Sequence, residues 1–165
     1  MSEIKKRSIP LRRIVSGIER ISLTMWYEKW AFSDDYSFIL ESGQKGRYSY
    51  IGKAADELIK GKNEVNTLQR GLSSSQEKGD PFIFIEKWLN ARDTQNAFSE
   101  DYWTGGACGY LSYDLVRWIE CLPEKAIDDL ELPDYLFILV KDLIVVDHEL
   151  HQVILIAWYG DCVFF

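Results

Sequence analysis

Three apolar runs near the end of the chain, Tyr135 to Val140, Leu143 to Val146 and Val153 to Ala157, are rich in leucine and β-branched residues and show little polar alternation. Runs of this length and composition suit strands covered on both faces. A chain committed to such strands must cover them with other elements. Its 165 residues are enough for one domain with a real core.

A second constraint lies upstream. Two short apolar runs, Tyr36 to Leu40 and Tyr48 to Ile51, flank a polar, glycine-containing connection, which predicts a hairpin. Glu41, Ser42, Lys45 and Arg47 crowd the mouth of that hairpin, so both signs of charge and a hydroxyl stand together at the end of a buried strand. Such a mouth can hold a zwitterion. The plainer reading is solvated charge beside a surface turn.

The remaining elements follow in order. Ile14, Ile18, Ile21 and Met25 recur at spacings of four, three and four, predicting an amphipathic helix over about 11–32, or one that begins after Gly17. The basic residues Lys5, Lys6, Arg7, Arg12 and Arg13 read as part of a polar tail covering about 1–13. Glu57 to Gly61 and Glu64 to Leu68 enclose Lys62-Asn63 as a small exposed hairpin of edge character, and Gly71 to Gly79 reads as a loop. Asp80-Pro81 is a helix start, with an N-cap ahead of a proline at the first helical position. Phe82, Ile85, Trp88 and Leu89 then form its apolar face, and the polar stretch 93–102 reads as a loop. The glycines between Gly105 and Gly109 interrupt a strand pattern, the sign of a bulge or of a close approach by another backbone. Ser112 can start a short helix with Leu115, Val116 and Ile119 inward and Asp114, Arg117 and Glu120 as an ion-pair row.

Composition excludes several classes of function. A net charge of -7 argues against a nucleic-acid surface, which needs a clustered basic face. No apolar run approaches a bilayer span and no signal-peptide core follows the basic N-terminus, so no membrane partner is expected and the expectation is cytoplasmic. Three widely spaced cysteines, Cys108, Cys121 and Cys162, fit reduced thiols. His148 and His151 bracket a hairpin turn rather than forming a metal site. No nucleophile motif, phosphate loop or metal cluster is present, and no catalytic residue is assigned. The adjacent pair Asp128-Asp129 reads as loop solvation.

The motifs also carry a resemblance. Leu40-Glu41-Ser42 with Gly46-Arg47-Tyr48-Ser49 and Gly52 resembles the "LLES…GRYSxxG" segment of component I of the chorismate-aminating enzymes, aminodeoxychorismate synthase and anthranilate synthase. Gly105 to Glu120, reading GGACGYLSYDLVRWIE, resembles the family's "GGxxGYxxYDxxRxxE" signature, whose role there is architectural. Leu132-Pro133-Asp134 and Asp147-His148 also match, so the resemblance runs from about Ser37 to Ala157.

The resemblance implies an α+β fold with mixed, mainly antiparallel sheets and a few packing helices, as in the N-terminal region of component I. It implies a tryptophan-type pocket to which Leu40, Glu41, Ser42, Arg47 and Tyr48 contribute. Tryptophan is a feedback inhibitor in anthranilate synthases and a structural ligand in some aminodeoxychorismate synthases. The short connection Gly43-Gln44-Lys45, the Gly79-Asp80-Pro81 step and Asp128 to Asp134 favour aminodeoxychorismate synthase, of the folate pathway. Anthranilate synthase and a free-standing binding module are the alternatives.

Family members use chorismate, Mg2+ and ammonia from a glutamine amidotransferase partner. The Mg2+ ligands and the acid and base residues belong to a C-terminal chorismate-binding domain that this sequence does not contain, so no cofactor is expected in the chain itself. Ending on Cys162-Val163-Phe164-Phe165, it reads as a truncated chain, inactive without that catalytic half.

Overall fold

The computed structural model describes residues 9–16, 22–42, 46–91, 101–121 and 128–159. The basic residues Lys5 to Arg7, the loop 93–100, Lys45 and the C-terminal residues 160–165 lie outside this set. Most of the described structure is antiparallel strand with few helices, in agreement with the expected mixed class. The chain divides into two compact units, Met1–Ala55 with Ala91–Gly106 and Leu139–Phe165, and Asp56–Asn90 with Ala107–Ile138.

In the first unit, β1 (Ile9–Ser16) pairs antiparallel with β8 (Gln152–Tyr159), and β8 pairs antiparallel with β7 (Tyr135–Asp147). β2 (Ser37–Leu40) pairs with the start of β3 (Tyr48–Lys62), setting Leu40 opposite Tyr50 and Phe38 opposite Gly52. The expected hairpin is therefore present. Of the two expected extents of the first helix, the one over 11–32 is not, since residues 9–16 form a strand; α1, at Leu23–Trp30, agrees with the alternative of a helix that begins after Gly17. The three-and-four spacing of isoleucines was a true helical pattern with a competing solution, because β-branched Ile14 and Val15 also suit a strand beside Val153 and Ile154. Pro10 is tolerated because β1 pairs on one side only. The polar-tail reading fails for Ile9 to Arg13 for the same reason.

Ser22 caps α1, its Oγ accepting from the Met25 N–H at 3.3 Å. The helix lays Trp26, Tyr27 and Trp30 against a core of Leu23, Ala31, Ile51, Ile144, Val146 and Val153. Lys53 fastens its end, reaching Asp34 Oδ2 at 3.0 Å with its ammonium over the Trp30 ring. Gly105, with φ of 136°, lies where an added Cβ would stand 2.6 Å from Trp158 Nε1 and 2.9 Å from the Val140 carbonyl. That explains one of the glycines that interrupt the strand pattern. Leu143 to Val146 and Tyr135 to Val140 are parts of the same strand, β7, rather than two strands.

In the second unit, β3 pairs antiparallel with β4 (Val65–Arg70) and β4 with β5 (Ser73–Lys78). Asn63 turns the first hairpin with φ of 53°, as expected, but the hairpin is not exposed, since Leu58, Ile59 and Asn66 are buried. The segment Gly71 to Gly79, expected to be a loop, is mostly strand. Every β5 side chain is exposed, so no hydrophobic alternation marks it; β4 rather than side-chain burial holds it, and β4 is not an edge. α2 (Pro81–Asn90) starts as expected, with Asp80 Oδ1 accepting from Phe82 N–H at 2.8 Å. Its buried residues are Pro81 and Trp88, while Phe82 and Leu89 are partly exposed.

β6 (Gly106–Leu111) leads into a 3-10 helix, Tyr113–Trp118, with Leu115 buried and Asp114 paired to Arg117 at 3.1 Å. Ile119, expected to face inward, is exposed, because the tighter 3-10 turn changes which residues share a face. Asp128 is more than loop solvation, since it pairs with Lys62.

Two buried polar contacts organise this unit. Tyr135 Oη donates to Asn66 Oδ1 at 2.8 Å, and burial pushes the phenol well above its ordinary range, so it stays a neutral donor. Buried Glu57 accepts from Trp88 Nε1–H at 2.7 Å through one oxygen and meets Arg70 Nε at 3.3 Å through the other. Trp88→Phe should therefore lower stability by about 1–3 kcal/mol through loss of a charge-assisted hydrogen bond in a dry site. Urea unfolding of the variant checks this, and an unchanged midpoint would mean that Glu57 does not depend on the indole.

Candidate functional site

The hairpin mouth, at the ends of β2 and β3, is built by local bonds first. The Ser42 backbone N–H donates to Ser49 Oγ at 2.9 Å, and the Ser42 hydroxyl donates to the Gly46 carbonyl. Gly46 has to be small here, because a Cβ would sit 2.5 Å from Ser42 Oγ. Of the residues predicted for the pocket, Leu40 and Glu41 are exposed at this mouth, while Ser42 and Tyr48 are half-buried within it. Tyr48 stands beside Tyr102, ring centroids 5.5 Å apart, and under the Arg47 guanidinium, whose Cζ lies 4.9 Å from its centroid. Burial pushes the Tyr48 hydroxyl up in pKa, with the Arg47 charge opposing.

Arg47 does not point into open solvent. Its Nε and Nη2 donate to the Asp147 carboxylate, the shortest contact being 2.8 Å, and Glu149 Oε2 lies 3.2 Å from Nε. Asp147 is nearly fully buried and also accepts at Oδ1 from the Glu149 and Leu150 N–H groups, both at 3.0 Å. Burial pushes this carboxyl up, but the Arg47 hydrogen bond, the Leu150 N–H, the Arg47 charge and the Glu149 N–H outweigh it and hold it below the ordinary aspartate range. The hydrogen bonds that Arg47 donates to Asp147 raise Arg47 in turn, against desolvation.

The turn between β7 and β8 thus grips the start of β3. The His148 N–H donates to the Arg47 carbonyl at 2.9 Å, and His148 Nε2 lies 2.8 Å from Ser49 Oγ. Ser49 is fully buried; its Oγ accepts from the Ser42 N–H and shares a second hydrogen bond with His148 Nε2, in which the tautomer sets the donor. Asp147, His148, Ser49 and Tyr102 are the residues of this mouth that sequence reasoning missed. The pair Asp147-His148 was visible as a turn and as a match to the family, but not as part of this mouth. His148 and His151 do bracket that turn as expected, and among the described residues no group of three or more His, Cys, Asp or Glu side chains could hold a metal ion.

Away from the mouth, an open apolar slot of about 590 Å3 lies between α1 and the β7–β8 pair. Met25, Trp26 and Trp30 form one wall and Ile144 and Leu155 the floor, with Lys29 and Asp142 also in the lining. None of the five predicted pocket residues lines it. No helix among the described residues is long and apolar enough to cross a membrane.

No protein-family model matches the chain. Individual relatives do. The chain is 34% identical over 131 residues to aminodeoxychorismate synthase component 1 of Bacillus subtilis, covering 79% of this chain and 28% of that protein. It is 33% identical over 163 residues to anthranilate synthase component 1 of Mycolicibacterium smegmatis, covering 93% of this chain and 31% of that protein. Anthranilate synthase component 1 of Mycobacterium bovis is 34% identical over 166 residues, covering 93% and 32% respectively. The chain therefore belongs to the chorismate-utilising enzyme family. Within it, its relatives are component 1 of aminodeoxychorismate synthase and component 1 of anthranilate synthase, and it spans less than a third of their length.

Proposed function

We propose that this chain is the ligand-binding and scaffold region of a chorismate-aminating synthase, with the N-terminal component I fold, and that the synthase is aminodeoxychorismate synthase. The observation that carries the reading is the convergence of two family motifs. Arg47 of the "GRYS" segment and Asp147 of the "DH" pair, 100 residues apart in sequence, bind each other at the hairpin mouth. The three-residue connection between Ser42 and Gly46 and the likeness to the Bacillus subtilis protein favour aminodeoxychorismate synthase over anthranilate synthase.

In this reading the mouth takes tryptophan, with Glu41 available to its ammonium and Ser42 and Tyr48 forming the wall. Arg47, committed to Asp147, shapes the site more than it receives the ligand carboxylate. Chorismate, Mg2+ and an amidotransferase partner belong to the whole synthase. Among the described residues no group of three or more His, Cys, Asp or Glu side chains could hold Mg2+.

Titration calorimetry of tryptophan into the full-length protein tests the site. Ser42→Phe should weaken binding by about tenfold to a hundredfold, because the ring overfills a wall position. Undiminished binding would remove Ser42 from the site. Identifying the aminated product formed by the full-length protein with its partner decides between the two synthases.

A further inference from the structure

We infer that the Asp147-His148 turn positions the hairpin mouth, with His148 acting through Ser49 on the backbone of Ser42; its effect on ligand affinity rests on the tryptophan reading above. The chain of contacts is short and continuous. His148 Nε2 meets Ser49 Oγ at 2.8 Å, and Ser49 Oγ accepts from the Ser42 N–H at 2.9 Å. The Ser42 hydroxyl, turned back onto the Gly46 carbonyl, closes the loop from its other side.

His148 itself cannot drift. Its N–H is bonded to the Arg47 carbonyl, and the preceding residue, Asp147, is clamped by Arg47 and by two N–H groups of its own turn. The imidazole is exposed, so its place is explained by this bond and not by core packing. Ser42 has therefore been given a fixed backbone by a residue on another hairpin. A ligand resting on Ser42 meets a wall already ordered, and the entropic cost of ordering it is not charged to binding. Two consequences follow. The Ser42 N–H is occupied and is not a ligand donor, and any change at His148 reaches the mouth without touching the ligand.

The test compares His148→Leu, which removes the ring nitrogen, with His148→Gln, which keeps an acceptor on a side chain of similar reach. Ser49→Ala serves as the second break in the relay. Exchange of the Ser42 amide proton, followed by NMR in the full chain, should accelerate about tenfold in His148→Leu and in Ser49→Ala and return close to the wild-type rate in His148→Gln. Tryptophan affinity should fall by about tenfold in His148→Leu with recovery in His148→Gln. Unchanged Ser42 exchange in His148→Leu overturns the positioning role. Faster exchange with undiminished tryptophan binding overturns its link to the ligand. If the wild-type protein binds no tryptophan, the ligand reading falls, and the exchange rates alone then uphold or overturn the positioning of Ser42.

Discussion

Gly109→Ala should push β6 off β7 and lower stability by about 3 kcal/mol or more, at the upper end of what overpacking costs. An ideal Cβ at Gly109 would lie 1.9 Å from the Leu136 carbonyl oxygen and 2.7 Å from Phe137 Cα. The obstacle is backbone on a paired strand, so no rotamer change can clear it. Relief requires β6 to move outward, and that movement would strain the bonds just beyond it, Ser112 N–H to the Asp134 carbonyl at 2.7 Å and Tyr110 Oη to the Pro133 carbonyl at 3.2 Å. Urea unfolding read together with amide exchange in residues 107–111 measures the effect. An alanine variant with wild-type exchange in β6 would show that the strands are not in such close approach.

Gly109 also illustrates what could be read in the sequence. A glycine inside an apolar strand pattern signals a neighbouring backbone without naming it, and Leu136 had to come from the fold. The hairpins at Leu40–Tyr48 and Lys62–Val65 and the Asp80-Pro81 helix start were legible because their chemistry is local. β1 was not, since its strand state depends on β8, more than a hundred residues away along the chain. β5 was hidden for the opposite reason: Ser73, Ser74 and Ser75 bury nothing, and only backbone bonds to β4 order them. At the mouth, Ser42 and Arg47 stood out as polar groups at a turn. Their partners Asp147 and His148 could be recognised as turn residues and as a family match but not as the other half of the same site, because nothing in a linear pattern pairs positions 47 and 147.

Asp147→Ala should be the most damaging change at the mouth, costing about 2–4 kcal/mol at neutral pH. It strips the carboxylate from the Arg47 guanidinium and from the Glu149 and Leu150 N–H groups together. Arg47 is about a third exposed, so water recovers part of its share and the turn amides carry much of the loss. Asp147→Asn keeps the shape and one acceptor oxygen, and should cost less. The pH dependence separates the two contributions. Burial raises the Asp147 carboxyl, but Arg47 and the turn amides hold it below the aspartate range in the folded protein. A depressed folded value means stability that is fully present above the unfolded value of about 3.9 and is lost as the pH falls through the folded value. The wild-type unfolding midpoint should therefore drop below about pH 4. Asp147→Asn should start lower at neutral pH and fall less over the same acid range, because it has no proton to take up there. Parallel curves for the two proteins between neutral and acid pH would show that Asp147 is not held in its charged form by Arg47, and would undo the account of the turn as the anchor of β3.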